Sequence, residues 1–322
     1  IIEMDVRERH EIEILDGNGF PVLAAELTFA NPDGEIVHRV RTHSDGRAYF
    51  FPNLLAPEFQ SASYTVNVLA DYTQLIDTFT LERNDELEQR WLRETAYEPV
   101  TPLATKLDIF FVIDATGSMG DEIQQLKENM SAIATRLDAL DASSLVRYGM
   151  TVYRDRGDDF TSQTYQFTAD VGAFAAALAE VEAAGGGDYP EDMHEGLQKS
   201  LQVADWSVNN TISLLFVIGD APPHLDYDDQ AWTYDVAALE AAARGIKIFP
   251  IASSGLDEQG EYIYRQLAQV TGRKFLFLTY GAAGAGTLGN NTDLAVSDYD
   301  VTSLDGLITK IIEEELSFRG RS

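Results

Sequence analysis

The pattern of apolar and polar residues changes character near residue 100. From about Val6 to Leu81, short alternating runs are separated by Gly, Pro, Asn and Asp; the clearest are EIEIL, AELTFA, EIVHRV, RAYFF, SYTVNVL and LIDTFTL. Alternating runs bounded by turn formers are typical of antiparallel strands. The pattern predicts an N-terminal all-β domain over residues 1–83, with a small β-sandwich as its architecture.

After residue 105, continuous apolar runs alternate with segments of helical periodicity. The expected strands are 107–114, 145–153, 163–167 at an edge, 212–219, 246–252 and 274–279, and the expected helices are 120–140, 171–183, one that begins at Glu191 or Asp192 after Pro190, 231–244, 257–271 and 304–316. Such alternation predicts an α/β domain over residues 105–319, with a doubly wound, mostly parallel central sheet and helices on both faces.

The segment between these two regions, residues 84–104, begins with NDELEQRWLRETAYEPVT. It is charged and then interrupted by proline, which predicts a short helix followed by a linker, with the domain boundary near Pro102.

The turn after the first strand of the α/β region carries the most specific chemistry. The apolar run LDIFFVI ends at Asp114, and Thr116 and Ser118 follow at alternate positions before a helix. These three oxygen side chains can converge where a strand end curls into a helix. One carboxylate and two hydroxyls, without Cys or His, suit a hard cation such as Mg²⁺.

A strand that ends in D-x-[ST]-G-S-M resembles the metal-ion-dependent adhesion site of the von Willebrand factor type A domain, and the resemblance covers Thr105 to Arg319. It implies metal ligands from three loops above the sheet. Loop one supplies Asp114, Thr116 and Ser118, and loop three supplies Asp220, which ends a second apolar strand.

Loop two departs from the pattern of the adhesive members, which have a Thr there. The family's helix pattern puts Glu191 at this place, in the run GGGDYPED, and leaves open whether Asp188, Glu191 or Asp192 faces the ion. An added carboxylate strengthens divalent binding and favours Ca²⁺ more than a hydroxyl does.

Three further residues lie close to these loops in the sequence. Asp155, in Tyr153-Arg154-Asp155, is interpreted either as a residue that orients metal ligands or as the partner of a neighbouring arginine. His224 and His194 are expected to be surface loop residues and not ligands.

The N-terminal region also resembles a known module. Asp16-Gly17-Asn18-Gly19, the stretch Thr42 to Gly46 and the closing SYTVNVLA are similar to transthyretin-like or carboxypeptidase-regulatory-like domains. That resemblance implies a stalk, a spacer or a recognition surface. DGNG is interpreted as a β-turn in preference to a calcium loop.

Composition limits the partners and the chemistry. A net charge of −30 argues against nucleic acid or an anionic membrane as a direct partner. The chain has no Cys, which excludes disulfides, thiolate nucleophiles and thiolate zinc sites. No run approaches the roughly 18–20 apolar residues that span a bilayer.

The resemblance to the von Willebrand factor type A domain implies a divalent-metal-dependent protein-binding module for adhesion or assembly, with Mg²⁺ as the expected ion and Ca²⁺ or Mn²⁺ as alternatives. A carboxylate or other oxygen group of a protein partner would complete the coordination. The expected location is extracytoplasmic (periplasmic, cell surface or secreted) in a bacterium, with a signal or anchor removed ahead of Ile1; a cytoplasmic location is the alternative. No catalysis is expected. The alternatives are a regulatory or scaffold subunit of an ATPase-associated type and, last, a metal-dependent hydrolase.

Overall fold

A computed structural model of the chain describes residues 1–71, 73–84, 86–99, 106–140, 145–208, 210–253, 255–277 and 304–319. Its N-terminal part is built from seven strands, which are β1 (Arg9–Leu15), β2 (Glu26–Ala30), β3 (Ile36–Arg41), β4 (Arg47–Phe50), β5 (Ser63–Ala70), β6 (Gln74–Glu82) and β7 (Glu88–Glu94). They form a three-stranded sheet of order β4-β1-β7 and a four-stranded sheet of order β3-β2-β5-β6. The predicted N-terminal β-structure is thereby confirmed.

The two N-terminal sheets share one apolar core. Phe29 of β2 and Phe50 of β4 belong to different sheets, and their rings stack with centroids 4.1 Å apart. Alternate residues of the strands, such as Ile12 and Ile14 of β1, are fully buried. The Asp16 loop is a turn held by the Asp16 side chain, because its Oδ1 accepts hydrogen bonds from the amides of Asn18 and Phe20.

The helix predicted within residues 84–104 is wrong over Glu88–Glu94, because this segment is strand β7 and pairs in parallel with β1. Trp91 lies in this strand, where its ring stacks on Phe79 and its Nε1 donates to Nδ1 of His10. The side chain therefore packs inside the N-terminal unit. The predicted boundary at Pro102 lies outside the described residues.

The C-terminal part contains a six-stranded sheet with helices. Its strands are β8 (Lys106–Asp114), β9 (Leu145–Tyr153), β10 (Ser162–Thr168), β11 (Thr211–Gly219), β12 (Ile246–Ala252) and β13 (Leu276–Phe277), and its helices are α1 (Gly120–Leu140), α2 (Val171–Ala179), α3 (Met193–Gln202), α4 (Tyr234–Arg244), α5 (Glu258–Val270) and α6 (Leu304–Ser317). The strand order is β10-β9-β8-β11-β12-β13, and every neighbouring pair is parallel except β9–β10. The predicted mostly parallel α/β sheet is confirmed.

The side chains of β8 show how the sheet is covered. Ile109, Phe111 and Ile113 belong to an apolar cluster with α1, α2 and α6, whereas Phe110 and Val112 belong to a second cluster with α3, α4 and α5. Alternate residues of a strand point to opposite faces, so each face carries three helices. This explains why the strand is continuously apolar.

The predicted start of helix α3, at Glu191 or Asp192, is one or two residues too early. Its first residue is Met193, and Asp192 is the N-cap whose carboxylate accepts a hydrogen bond from the amide of Glu195. Pro190 and Glu191 precede the helix. The Asp192 carboxylate is thus used to cap the helix, whereas Glu191 lies in loop two ahead of it.

The two units are joined by a polar cluster, which we call the junction cluster: the buried residues Ser44, Asp45, Lys247 and Glu315 and the partly buried Arg273. Lys247 Nζ lies 2.6 Å from Glu315 Oε2 and 3.5 Å from Asp45 Oδ2. The cluster therefore connects the loop before β4 with β12 and α6.

No helix in the described part of the chain combines the length and the apolar character that crossing a bilayer requires.

Candidate metal centre

The candidate centre lies where β8 and β11 end beside each other. The two strands are parallel neighbours, and Asp114 closes β8 while Asp220 follows the last residue of β11. In the sheet, β8 lies between β9, which follows it in the chain, and β11. Open α/β sheets bind ligands at such a point, because the loops diverge and leave a crevice.

Asp114 and Thr116 form a tight, oriented pair. The backbone N–H of Thr116 donates to Asp114 Oδ1 at 2.9 Å, and its hydroxyl donates to the same oxygen at 2.6 Å. The other carboxylate oxygen, Oδ2, is buried and has no hydrogen-bond partner among the described residues. The turn therefore fixes the carboxylate and leaves one oxygen available.

Ser118 lies between loop one and loop three. Its hydroxyl lies 3.5 Å from the Thr116 hydroxyl, and its proximity lowers the pKa of Asp220, against the burial that raises it. Asp220 Oδ1 is buried without a hydrogen-bond partner in the described chain. Ser118 itself is exposed, so the cluster of oxygen side chains is open to solvent at this residue.

Glu191 supplies the loop-two carboxylate. It is 4% exposed, and its Oε2 also lacks a hydrogen-bond partner among the described residues. Its Oε1 and Thr116 both lie close to Gly186: a Cβ on Gly186 would be 2.7 Å from Oε1 and 3.2 Å from Thr116 Cβ. Gly186 also has φ +75, so glycine is the residue that fits at this point of loop two.

The charges of Asp114, Glu191 and Asp220 act on one another, and the described residues supply no counter-charge. Burial, followed by the charge of Asp220, raises the pKa of Asp114 to about 7. Burial and the charges of four neighbouring carboxylates, of which Asp114 is the first, raise the pKa of Glu191 to about 9. Burial also raises the pKa of Asp220. No Lys or Arg of the described chain forms an ion pair with any of the three.

The other acidic candidates have different surroundings. Asp192 caps α3 and pairs with Arg156 Nε at 3.1 Å. Asp188 is exposed and faces His224. Asp155 is buried and accepts a hydrogen bond of 2.7 Å from the hydroxyl of Tyr227. Glu191 is the loop-two carboxylate that lies beside Gly186 together with Thr116.

The expectation that His224 and His194 are surface residues is wrong, because their exposed fractions are only 5% and 1%. The His194 ring stacks on Tyr234. The loop after β11 folds back onto loop two, where the amide of His224 donates to the carbonyl of Glu191 at 3.2 Å. This contact between loops buries the imidazole.

Asp158 and Tyr227 were missed as contributors to these loops. Asp158 Oδ2 accepts hydrogen bonds from the amide of Gly186 at 2.9 Å and from the amide of Asp155 at 3.2 Å, so it holds loop two against the end of β9. Acidic residues are frequent in this chain. The sequence offers no signal that separates Asp158 from its neighbours.

The donor set fits a hard divalent cation. Asp114, Asp220 and Glu191 each present a buried oxygen without a hydrogen-bond partner among the described residues, and Thr116 and Ser118 add hydroxyl oxygens. Carboxylate and hydroxyl oxygens are the ligands that Mg²⁺ and Ca²⁺ prefer. A cation would also balance the uncompensated negative charge.

A mostly parallel α/β sheet with carboxylates and hydroxyls at its switch point defines the class of protein. Residues 108–280 match the family model described as von Willebrand factor A domain, which is more than half of the chain. The chain therefore belongs to the von Willebrand factor A domain family.

Two curated relatives match over part of their length. The alpha-protein kinase vwkA of Dictyostelium discoideum is 30% identical over 159 residues, which are 48% of this chain and 23% of the kinase. Hemicentin-2 of Mus musculus is 30% identical over 122 residues, which are 38% of this chain and 2% of hemicentin-2. The chain thus spans under a quarter of either relative.

Among solved structures, proximal thread matrix protein 1 from the mussel byssus is similar with a TM-score of 0.41 and 15% sequence identity. The match covers 55% of this chain and 42% of that one.

Proposed function

We propose that the α/β domain is a protein-binding module for adhesion or assembly that depends on a divalent cation. The cation, Mg²⁺ in the first place and Ca²⁺ or Mn²⁺ as alternatives, would be held by Asp114, Thr116, Ser118, Glu191 and Asp220. The observation that carries the proposal is that three buried carboxylates, two at neighbouring strand ends and one in loop two, each have an oxygen that lacks a hydrogen-bond partner among the described residues.

The arrangement leaves a route for a partner. Gly117 and Ser118 are exposed, whereas Asp114 and Thr116 below them are buried. A bound cation would act as a Lewis acid toward an oxygen group that arrives from the solvent side. A carboxylate of a protein partner suits this role, because it supplies charge and a hard oxygen together.

The family membership supports a role in protein interaction. Hemicentin-2 and vwkA carry matching segments within much longer chains, which fits a module that is combined with different neighbours. We assign no catalytic role to the centre, since its side chains serve as oxygen ligands. The N-terminal β-unit, a sandwich of the carboxypeptidase-regulatory-like type in this proposal, would act as a spacer. The proposed function includes an extracytoplasmic location in a bacterium.

The proposal is tested with a displayed peptide library and the full chain immobilised. With Mg²⁺ present, the wild type should enrich peptides that carry Asp or Glu, and chelation by EDTA should release them. Asp114→Ala should lose this enrichment while its circular dichroism spectrum remains that of the wild type.

Asp33→Ala, in an exposed turn of the N-terminal unit, is the matched control with the same change of charge and should bind as the wild type does. Enrichment of acidic peptides that persists in EDTA, or in Asp114→Ala, would contradict the proposal. A library without any enriched acidic peptide would also count against it.

A further inference from the structure

We propose that His224, Asp155 and Asp188 form a second cation site, suited to Zn²⁺, beside the centre described above. The nearest imidazole and carboxylate atoms of the three residues all lie within 4.8 Å of one another. None of the three belongs to the proposed ligand set of the first centre. The site therefore goes beyond the proposed function and is tested separately.

The His224 ring presents a nitrogen that needs a partner. Its Nδ1 lies 2.8 Å from Asp226 Oδ1, and a carboxylate at that distance accepts the Nδ1 proton. The other nitrogen, Nε2, is then the one available to a ligand. Nε2 is buried and has no hydrogen-bond partner among the described residues.

Nε2 faces two carboxylates. It lies 3.4 Å from Asp155 Oδ1 and 3.9 Å from Asp188 Oδ2, and it makes a hydrogen bond to neither of them. One nitrogen and two carboxylate oxygens at such distances can surround a cation. A metal ion satisfies all three groups at once.

The surrounding side chains hold two of the ligands in place. The Tyr227 ring stacks on the His224 ring with centroids 4.2 Å apart and an interplanar angle of 17°, and its hydroxyl donates to Asp155 Oδ1 at 2.7 Å. The Arg156 guanidinium carbon lies 3.9 Å from the centroid of the Tyr227 ring. A carboxylate on the far nitrogen of a histidine and hydrogen bonds to carboxylate ligands are the supporting contacts that metal sites use.

The ligand chemistry selects the ion. One imidazole and two carboxylates suit Zn²⁺, whereas Mg²⁺ prefers oxygen ligands alone. Ligand atoms about 2.0–2.1 Å from a tetrahedral zinc ion are about 3.3 Å apart, close to the 3.4 Å between Nε2 and Asp155. The Asp188 side chain is 62% exposed, so the ion would reach the site from solvent and keep an open position.

The test is a zinc titration of the full chain in excess Mg²⁺, followed by zinc X-ray absorption spectroscopy. The wild type should bind one zinc ion with an imidazole in its first shell. Asp188→Asn and His224→Asn should each weaken zinc binding by about tenfold or more, and His224→Asn should remove the imidazole signal. Asp226→Asn should weaken zinc binding by about tenfold as well.

Asp228→Asn is the matched control, because this exposed residue in the same loop undergoes the same change of charge. It should bind zinc as the wild type does, and so should Asp114→Ala, in which the first centre is damaged. Asp188 is exposed, so its substitution tests the site even if His224→Asn fails to fold.

Two results would overturn the second site. One is zinc affinity that does not change in Asp188→Asn and His224→Asn. The other is zinc that is lost in Asp114→Ala and retained in Asp188→Asn, because that ion would occupy the first centre. In the second case the proposed function would stand while the second site would fall.

Discussion

The hydroxyl of Thr116 donates a 2.6 Å hydrogen bond to Oδ1 of Asp114, and Oδ2 of the same carboxylate is left buried without a hydrogen-bond partner in the described chain. One oxygen is thus used to orient the side chain and the other is available to a ligand. Leaving a charged oxygen unsatisfied destabilises the fold, unless a cation compensates it.

Mg²⁺ should raise the melting temperature of the wild type, because it binds the folded centre and neutralises its charges. The gain should be about 2.7 kcal/mol in the free energy of unfolding at about one hundred times the dissociation constant. In EDTA, Asp220→Asn should melt above the wild type, since it removes one of the crowded carboxylates, and it should lose the Mg²⁺ gain. Differential scanning calorimetry measures both effects, and a wild-type melt that is identical in Mg²⁺ and EDTA would contradict the prediction.

Gly186→Ala should destabilise the protein by about 1–3 kcal/mol, because it combines a positive φ with a Cβ placed 2.7 Å from Glu191 Oε1. It should also weaken Mg²⁺ binding, since Glu191 must move. Denaturant unfolding and a Mg²⁺ titration measure the two effects. Gly187→Ala is the control, because a Cβ there has no described atom within 4 Å, and it should change stability by under about 0.5 kcal/mol. Equal effects at the two glycines would refute the steric argument.

Lys247→Met should destabilise the protein by about 3–5 kcal/mol, because Glu315 and Asp45 of the junction cluster must then share Arg273, which leaves one buried negative charge uncompensated. The double variant Lys247→Met with Glu315→Gln should recover part of this loss. Lys199→Met, which breaks a solvent-exposed pair with Glu195, should cost under about 1 kcal/mol. Urea unfolding monitored by tryptophan fluorescence compares the three variants, and a similar cost for both single substitutions would show that the junction cluster adds little.

His43 should make the protein sensitive to acid. Burial, then the charges of Lys247 and Arg273, lower the pKa of His43 from 6.5 to about 3, although Asp45 opposes the shift. Below pH 6.5, His43 binds a proton in the unfolded chain but stays unprotonated in the folded chain until the pH approaches 3. The stability contributed by neutral His43 is therefore present above pH 6.5 and is lost as pH falls toward 3.

His43→Gln should reduce this loss, so that its melting temperature falls less steeply than that of the wild type between pH 6.5 and 4. Calorimetry of both proteins across this range makes the comparison. Parallel curves would show that His43 does not control the acid response.

Much of the α/β unit was predictable because its signals are local. The apolar run that ends at Asp114 reads as a strand, and the one that ends before Asp220 does as well. Since the carboxyl ends of neighbouring parallel strands share one edge of a sheet, the approach of Asp114 to Asp220 follows from the pattern.

Strand β7 shows where prediction from the local sequence failed, because this segment was expected to be a helix. Its sequence, EQRWLRE, is charged and resembles a surface helix, yet it pairs with β1, which lies far away in the chain. Pairing partners, more than intrinsic propensity, decide whether such a segment becomes a strand.

The sequence by itself determined the strand–helix alternation, the strand-end carboxylates and the glycine-rich loop between them, because each depends on residues that are near neighbours in the chain. Only the tertiary structure decided that Glu191 faces Thr116, since Asp192 is used to cap α3 and Asp188 remains exposed. It alone also buried His224 beside Asp155, through the contact of loop three with Glu191. Three acidic residues within five positions are equivalent in a sequence, and they become different only when the folded backbone assigns each a direction and a neighbour.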